Sequence, residues 1–199
     1  MQAFKSLCSR VICLPLKDVD TDMIIPAQYL TSTSREGFGD RLFERLRTSS
    51  QDFIFNHKQA LSSQILISGP NFGCGSSREH AVWALMDFGI RAIIAPSFSD
   101  IFANNAAKNG LLLIVMDADN ISNLEEQLKN FSKDLSIDLE MQKMIIGNGE
   151  QEFYFSIDSF NKERLLQGMD DLDYLVSHMN LISAFKSKQK IYLKNQNAS

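Results

Sequence analysis

The sequence predicts an α/β fold: a mixed sheet with a parallel core, an antiparallel β extension and a helical C-terminus. Short apolar runs at 64–68, 91–95 and 111–115 alternate with helix-spaced segments at 79–88 and 98–109. Strands separated by helices in this way become parallel neighbours joined by right-handed crossovers. Residues 135–139, 143–146 and 152–157 then alternate apolar with polar side chains between turns, as half-buried antiparallel strands do. Asp158 and Gly168 bracket one more helix as N-cap and C-cap.

In chain order, residues 11–16 form an apolar strand that ends in Lys17-Asp18-Val19-Asp20-Thr21-Asp22, with three aspartates in five positions. Residues 31–39 are polar and glycine-bearing, as surface loops are, and a short helix over 40–47 follows. The strand at 64–68 runs into Gly69-Pro70-Asn71-Phe72-Gly73-Cys74-Gly75-Ser76-Ser77-Arg78, a glycine-rich turn. In the helix at 79–88, Ala81, Val82, Leu85 and Met86 share one face, and Gly89 ends it as a C-cap glycine. A further helix spans 121–131, and Asn148-Gly149 predicts a type I′ hairpin turn. No repeat or linker interrupts the chain, so one domain over 1–199 is expected, with a flexible tail at about 188–199.

Composition removes several function classes. A net charge of −4 argues against a nucleic-acid partner, which calls for clustered excess Lys and Arg; Lys186, Lys188, Lys190 and Lys194 read as a solvated end. Cys8, Cys13 and Cys74 form no C-x-x-C pair and have no His at zinc-ligand spacing, so no metal or cofactor is expected on this chain alone. An odd, small cysteine count fits a reducing compartment. Residues 1–16 lack the features of a signal peptide, and no apolar run approaches the roughly 20 residues of a membrane span. A cytoplasmic location without membrane contact is expected.

Chemistry concentrates at Gly73-Cys74-Gly75-Ser76-Ser77-Arg78-Glu79-His80. Glycines let a ligand approach the backbone, a helix start aims free N–H groups at an anion, and Arg78 adds a fork suited to carboxylate or phosphate. A second reading stands beside this one: Ser76 with Glu79 matches a capping box, in which both serve only to start the helix. Cys74, near that helix start, invites a nucleophile reading through a lowered thiol pKa, although no base is written beside it. Trp83 reads as core, and His57 and His178 as isolated structural or exposed residues.

Several separated motifs resemble one family. Asp18-Val19-Asp20-Thr21-Asp22-Met23-Ile24-Ile25-Pro26, Arg35-Glu36-Gly37-Phe38-Gly39, Asn71-Phe72-Gly73-Cys74-Gly75-Ser76-Ser77-Arg78-Glu79-His80-Ala81 and Ala95-Pro96-Ser97-Phe98-Ser99-Asp100-Ile101-Phe102 are similar to the 3-isopropylmalate dehydratase small subunits of the aconitase superfamily. Pro70 departs from the acidic residue often found there. The resemblance implies a swivelling β/β/α domain of the aconitase type and a large-subunit partner that carries a [4Fe–4S] cluster, this chain binding no cofactor itself. It implies a hydro-lyase of leucine biosynthesis that interconverts 2-isopropylmalate and 3-isopropylmalate through isopropylmaleate.

The same resemblance implies residue roles. Ser76 is the base, acting as an alkoxide that the glycine turn, the helix N-terminus and Arg78 stabilise. Gly75, Ser77 and Arg78 meet the substrate, a small dicarboxylate, and Arg35 is its second carboxylate clamp. Asp22 orients an active-site arginine, and Leu30 supplies part of the apolar wall for the isopropyl group. Two alternatives accompany this reading: a small subunit for homoaconitate or for citramalate and citraconate, and, from another class, an anion-binding regulatory module.

Overall fold

The computed structural model describes residues 1–30 and 37–196, with side chains described as far as 187. β1 (Ser6–Leu14) is the hinge of the sheet. Its second half pairs in parallel with β2 (Ile65–Ser68), while its first half pairs antiparallel with a later strand. The apolar run predicts a strand from residue 11 onward. It starts at Ser6 because Ser6-Leu7-Cys8-Ser9-Arg10 finds its partner about 130 residues on, and that half is too polar to announce itself. Pro15, which has no N–H to donate, closes the strand.

After β1 come the one-turn helix α1 (Thr21–Ile24) and, past a 3-10 turn at Gly39–Arg41, helix α2 (Glu44–Ser49). One helix over 40–47 was expected; Phe43 interrupts it in the left-handed region at φ 51°. Burial of its ring between Phe53 and Phe55, and donation of its amide to the Ile24 carbonyl at 2.9 Å, outweigh helix continuity.

The parallel core follows as read: α3 (Glu79–Phe88), β3 (Ala92–Ala95), α4 (Asp100–Asn109) and β4 (Leu112–Val115). α4 begins two residues later than expected because Phe98 and Ser99 are engaged with Phe72, leaving Ser99 as the N-cap. α5 (Ala118–Leu128) starts three residues early, where Asp117 accepts the Asn120 amide at 2.9 Å, and a 3-10 turn replaces its expected last turn.

β5 (Asp134–Asp138), β6 (Lys143–Ile146) and β7 (Gln151–Tyr154) form the antiparallel extension, so the seven-stranded sheet runs β4-β3-β2-β1-β5-β6-β7. The β6–β7 turn is not type I′. Four residues, 147–150, close it with the Glu150 amide donating to the Ile146 carbonyl, and positive φ falls on Gly147 and Gly149 instead of on Asn148 and Gly149. The chain ends in α6 (Ser159–Gln167), capped by Asp158 and Gly168 as read, then α7 (Asp171–Ser177) and α8 (Met179–Gln196). Residues 197–199, part of the expected tail, lie outside the described residues.

Alternation along the strands builds two hydrophobic layers. Ile12, Leu14, Leu66 and Ile93 face Ala81, Val82 and Leu85 of α3 and Phe102 and Ala106 of α4. Val11, Ile65, Ile67, Ala92 and Ile94 face Ile121, Leu124 and Leu128 of α5 and the inner side of β5–β7. β2 and β3 are buried on both faces, which accounts for their unbroken apolar sequence. The loops that follow the C-terminal ends of β1, β2 and β3 therefore emerge together, where ligands of open α/β sheets bind.

Candidate active site

Three loops are laced into one surface. The loop after β1 meets the loop after β2 through a parallel bridge between Asp20 and Cys74, donation from the Gly73 amide to the Val19 carbonyl at 2.8 Å, and donation from Asn71 Nδ2 to Asp18 Oδ1 at 2.8 Å. The loop after β3 joins at Phe72 and Phe98, and the Ser99 hydroxyl donates to the Gly73 carbonyl at 2.7 Å. Gly73 has to be glycine: its φ is +76°, and a Cβ there would lie 2.2 Å from Cγ of Phe102. The three aspartates of 18–22 divide their work. Asp18 holds Asn71, Asp20 caps α1 by accepting the Met23 amide at 2.6 Å, and Asp22 faces Arg78.

Arg78 Nη1 donates to Asp22 Oδ1 at 2.8 Å, and the Arg78 side chain is only 16% exposed. The same carboxylate accepts the Ala27 amide at 3.0 Å, and its other oxygen is paired with Arg45 of α2. The Arg78 hydrogen bond, the Ala27 amide and Arg45 together hold the Asp22 carboxyl below the usual carboxylate range. Among the described residues no hydrogen bond engages Nε or Nη2 of Arg78, so these donors remain for a ligand. The resemblance implied that Asp22 orients an active-site arginine without saying which; here that arginine is Arg78, and Arg45, whose position in a charged helix looks like that of any solvated cation, was missed.

The capping-box reading of Ser76 does not hold. Helix α3 starts at Glu79 with Arg78 at the N-cap position and no side-chain cap. Glu79 instead accepts from Asn109 Nδ2 at 2.8 Å, which ties α3 to α4. Gly75, Ser76 and Ser77 are exposed, and Thr21 Oγ1 donates to the Ser76 carbonyl at 3.1 Å. The Ser76 hydroxyl thus stands on an open face, uncommitted to the helix.

Cys74 does not have the lowered thiol pKa that a nucleophile would need. It lies five residues before α3, and burial, with Asp20 and Asp18 adding to it, raises its thiol pKa instead of lowering it. That removes the electrostatic basis for a nucleophile. His80 packs its ring against Trp83 at 4.6 Å and Phe38 at 5.4 Å. Trp83 is partly buried against the core and donates to Asn109 Oδ1 at 3.1 Å.

Leu30, the last described residue before 31–36, packs partly buried against the helix-side core. Arg35 itself lies outside the described residues. The described residues on either side of 31–36 are fastened in place. Tyr29 Oη donates to Glu44 at 2.7 Å, Arg41 pairs with the other Glu44 oxygen at 2.8 Å, and the Gly39 amide donates to Asp87 at 2.7 Å. Among the described residues no three His, Cys, Asp or Glu side chains gather as a metal site, and no helix is long and apolar enough to cross a membrane.

Comparison with known proteins finds relatives along nearly the whole chain. Residues 1–119 match the Aconitase C-terminal domain. The 3-isopropylmalate dehydratase small subunit of Francisella philomiragia is 50% identical over 191 residues, covering 96% of this chain and 100% of that protein. That of Pelagibacter ubique is 45% identical over 195 residues, covering 96% and 95%. Among solved structures, 3-isopropylmalate dehydratase from Methanocaldococcus jannaschii superposes with a TM-score of 0.68 at 29% identity, over 91% of this chain and 99% of that one.

Proposed function

Since this chain belongs to the family of 3-isopropylmalate dehydratase small subunits, we propose that it supplies the acid–base half of a hydro-lyase site shared with a large subunit. The reaction is the interconversion of 2-isopropylmalate and 3-isopropylmalate through isopropylmaleate, in leucine biosynthesis. One observation carries the reading: a Ser76 hydroxyl with no hydrogen-bond partner among the described residues stands on an open face two residues from an arginine whose orientation a carboxylate fixes.

The chemistry requires a proton to leave a carbon beside a carboxylate while a hydroxyl departs from the neighbouring carbon. Ser76 takes the proton as an alkoxide, a role that needs nearby positive charge because an unperturbed hydroxyl is a poor base. Arg78 offers that charge and a fork for a substrate carboxylate, with Ser77 and the Gly75 backbone beside it. Asp22 holds the guanidinium in place without fully neutralising it, since Arg45 shares the same carboxylate. Arg35 clamps the second carboxylate and Leu30 contributes apolar wall to the isopropyl group. The names of the relatives, 3-isopropylmalate dehydratase small subunits, support this substrate over homoaconitate.

The cysteines of this chain do not fit a [4Fe–4S] cluster, since Cys8 and Cys13 lie on β1, away from Cys74 in the glycine turn. We assign the cluster to the large subunit, where it supplies a Lewis acid for the departing hydroxyl. A half-site of this kind explains why the face bearing Ser76 is open.

Anaerobic reconstitution tests the proposal. Each subunit alone should leave 2-isopropylmalate unchanged, and the mixture should form isopropylmaleate. Complex formation with turnover of homoaconitate or citramalate in its place would change the substrate. Ligand binding by this chain with no effect on any dehydratase would favour the anion-binding module.

A further inference from the structure

Thr21 is 2% exposed and makes two hydrogen bonds to the turn that carries Ser76. Its amide donates to the Cys74 carbonyl at 2.9 Å, and its hydroxyl donates to the Ser76 carbonyl at 3.1 Å. The two bonds bracket Gly75, whose φ of +90° makes the reversal. Among the described residues no other hydrogen bond reaches Gly75, Ser76 or Ser77. The hydroxyl is not needed to start α1, because Asp20 is the N-cap there.

A turn of exposed, glycine-bearing residues is free to sample many orientations unless something holds it. Here a single buried hydroxyl fixes the peptide that follows Ser76, and its chain neighbour Asp22 fixes Arg78. We infer that Thr21 is a positioning residue for proton removal, orienting the Ser76 hydroxyl through the Ser76 carbonyl. The inference rests on the role proposed above for Ser76. Placement errors of about 1 Å at a reacting group cost up to about a hundredfold in rate, so a bond made to the reacting residue's own backbone has leverage on turnover.

The test uses the complex reconstituted with its large subunit and 2-isopropylmalate as substrate, comparing Thr21→Val, Thr21→Ser, Ser76→Ala and the double variant Thr21→Val/Ser76→Ala. Valine keeps the shape and removes the donor. Thr21→Val should lower kcat by roughly 10- to 100-fold with KM within about twofold, on the scale of such placement errors. Thr21→Ser should retain most of the turnover, because it keeps the hydroxyl. In the Ser76→Ala background Thr21→Val should cost almost nothing further, since residues acting through one group are not additive.

An equal loss in both backgrounds, or a loss that serine does not rescue, would make Thr21 merely structural. Full turnover of Thr21→Val beside an inactive Ser76→Ala would overturn the inference and leave the base assignment intact. Full turnover of Ser76→Ala would remove the base assignment itself, and the inference with it. Should Thr21→Val fail to assemble, Thr21→Ala carries the same comparison.

Discussion

Arg78 and Asp22, 56 residues apart in sequence, meet in a 2.8 Å charge-assisted hydrogen bond across the mouths of two parallel strands. The pairing follows from topology. β1 and β2 are parallel neighbours, so the loops leaving their C-terminal ends run side by side, and the bridge between Asp20 and Cys74 sets their register. Asp20, Thr21 and Asp22 then address residues 74, 76 and 78 in turn.

Replacing Asp22 with Asn should raise KM by about tenfold, the cost of roughly one charge-assisted hydrogen bond, while assembly persists. The pH dependence has a definite sign. Arg78, Ala27 and Arg45 lower the Asp22 pKa, so the stabilisation is full above the ordinary carboxylate value near 4 and is lost as pH falls through the lowered one. Melting of wild type and Asp22→Asn at descending pH checks this. The difference between them should narrow below about pH 4, and a difference that widened there would contradict the pairing.

Arg45 is 63% exposed and pairs with the other oxygen of Asp22, which keeps Arg78 without it. Arg45→Gln should therefore shift stability by less than about 1 kcal/mol and KM by far less than Asp22→Asn does. A loss equal to that of Asp22→Asn, read in the same kinetic assay, would make Arg45 an equal partner in holding the site.

The two glycines of the turn should respond differently to alanine. Gly73→Ala meets Phe102 at 2.2 Å in addition to its φ of +76°, and the collision with a buried ring should cost more than about 2 kcal/mol. Gly75→Ala has room around it, with Asp20 Cβ at 3.5 Å, so only backbone strain of about 1 to 2 kcal/mol remains. Denaturant unfolding of both variants separates the cases; equal losses would mean that contact with Phe102 does not matter.

Cys74→Ser should retain turnover within a few-fold, and iodoacetamide at neutral pH should react slowly, because burial and the neighbouring aspartates hold the thiol protonated. Rapid inactivation at this residue would restore the nucleophile reading.

Much of the fold is legible in the sequence where local pattern and tertiary environment agree. The helix at 79–88 has an apolar face and a glycine stop, and β2 and β3 are apolar because both their faces are covered. Reading fails where a distant partner decides. The polar first half of β1 is a strand only because β5 lies beside it, and Phe43 breaks a helix because its ring is worth more in the core. In the site, the motifs supply Ser76, Arg78 and Asp22. Thr21 carries no local signal of its bond to residue 76, and Ser76 followed by Glu79 imitates a cap that the chain does not use.

The most direct measurement is turnover of 2-isopropylmalate by the reconstituted complex containing Ser76→Ala. We expect normal assembly with turnover reduced by at least about a hundredfold, in the range that loss of a general base produces. Assembly with near-normal turnover would contradict it, because the uncommitted hydroxyl beside Arg78 would then have no part in proton removal.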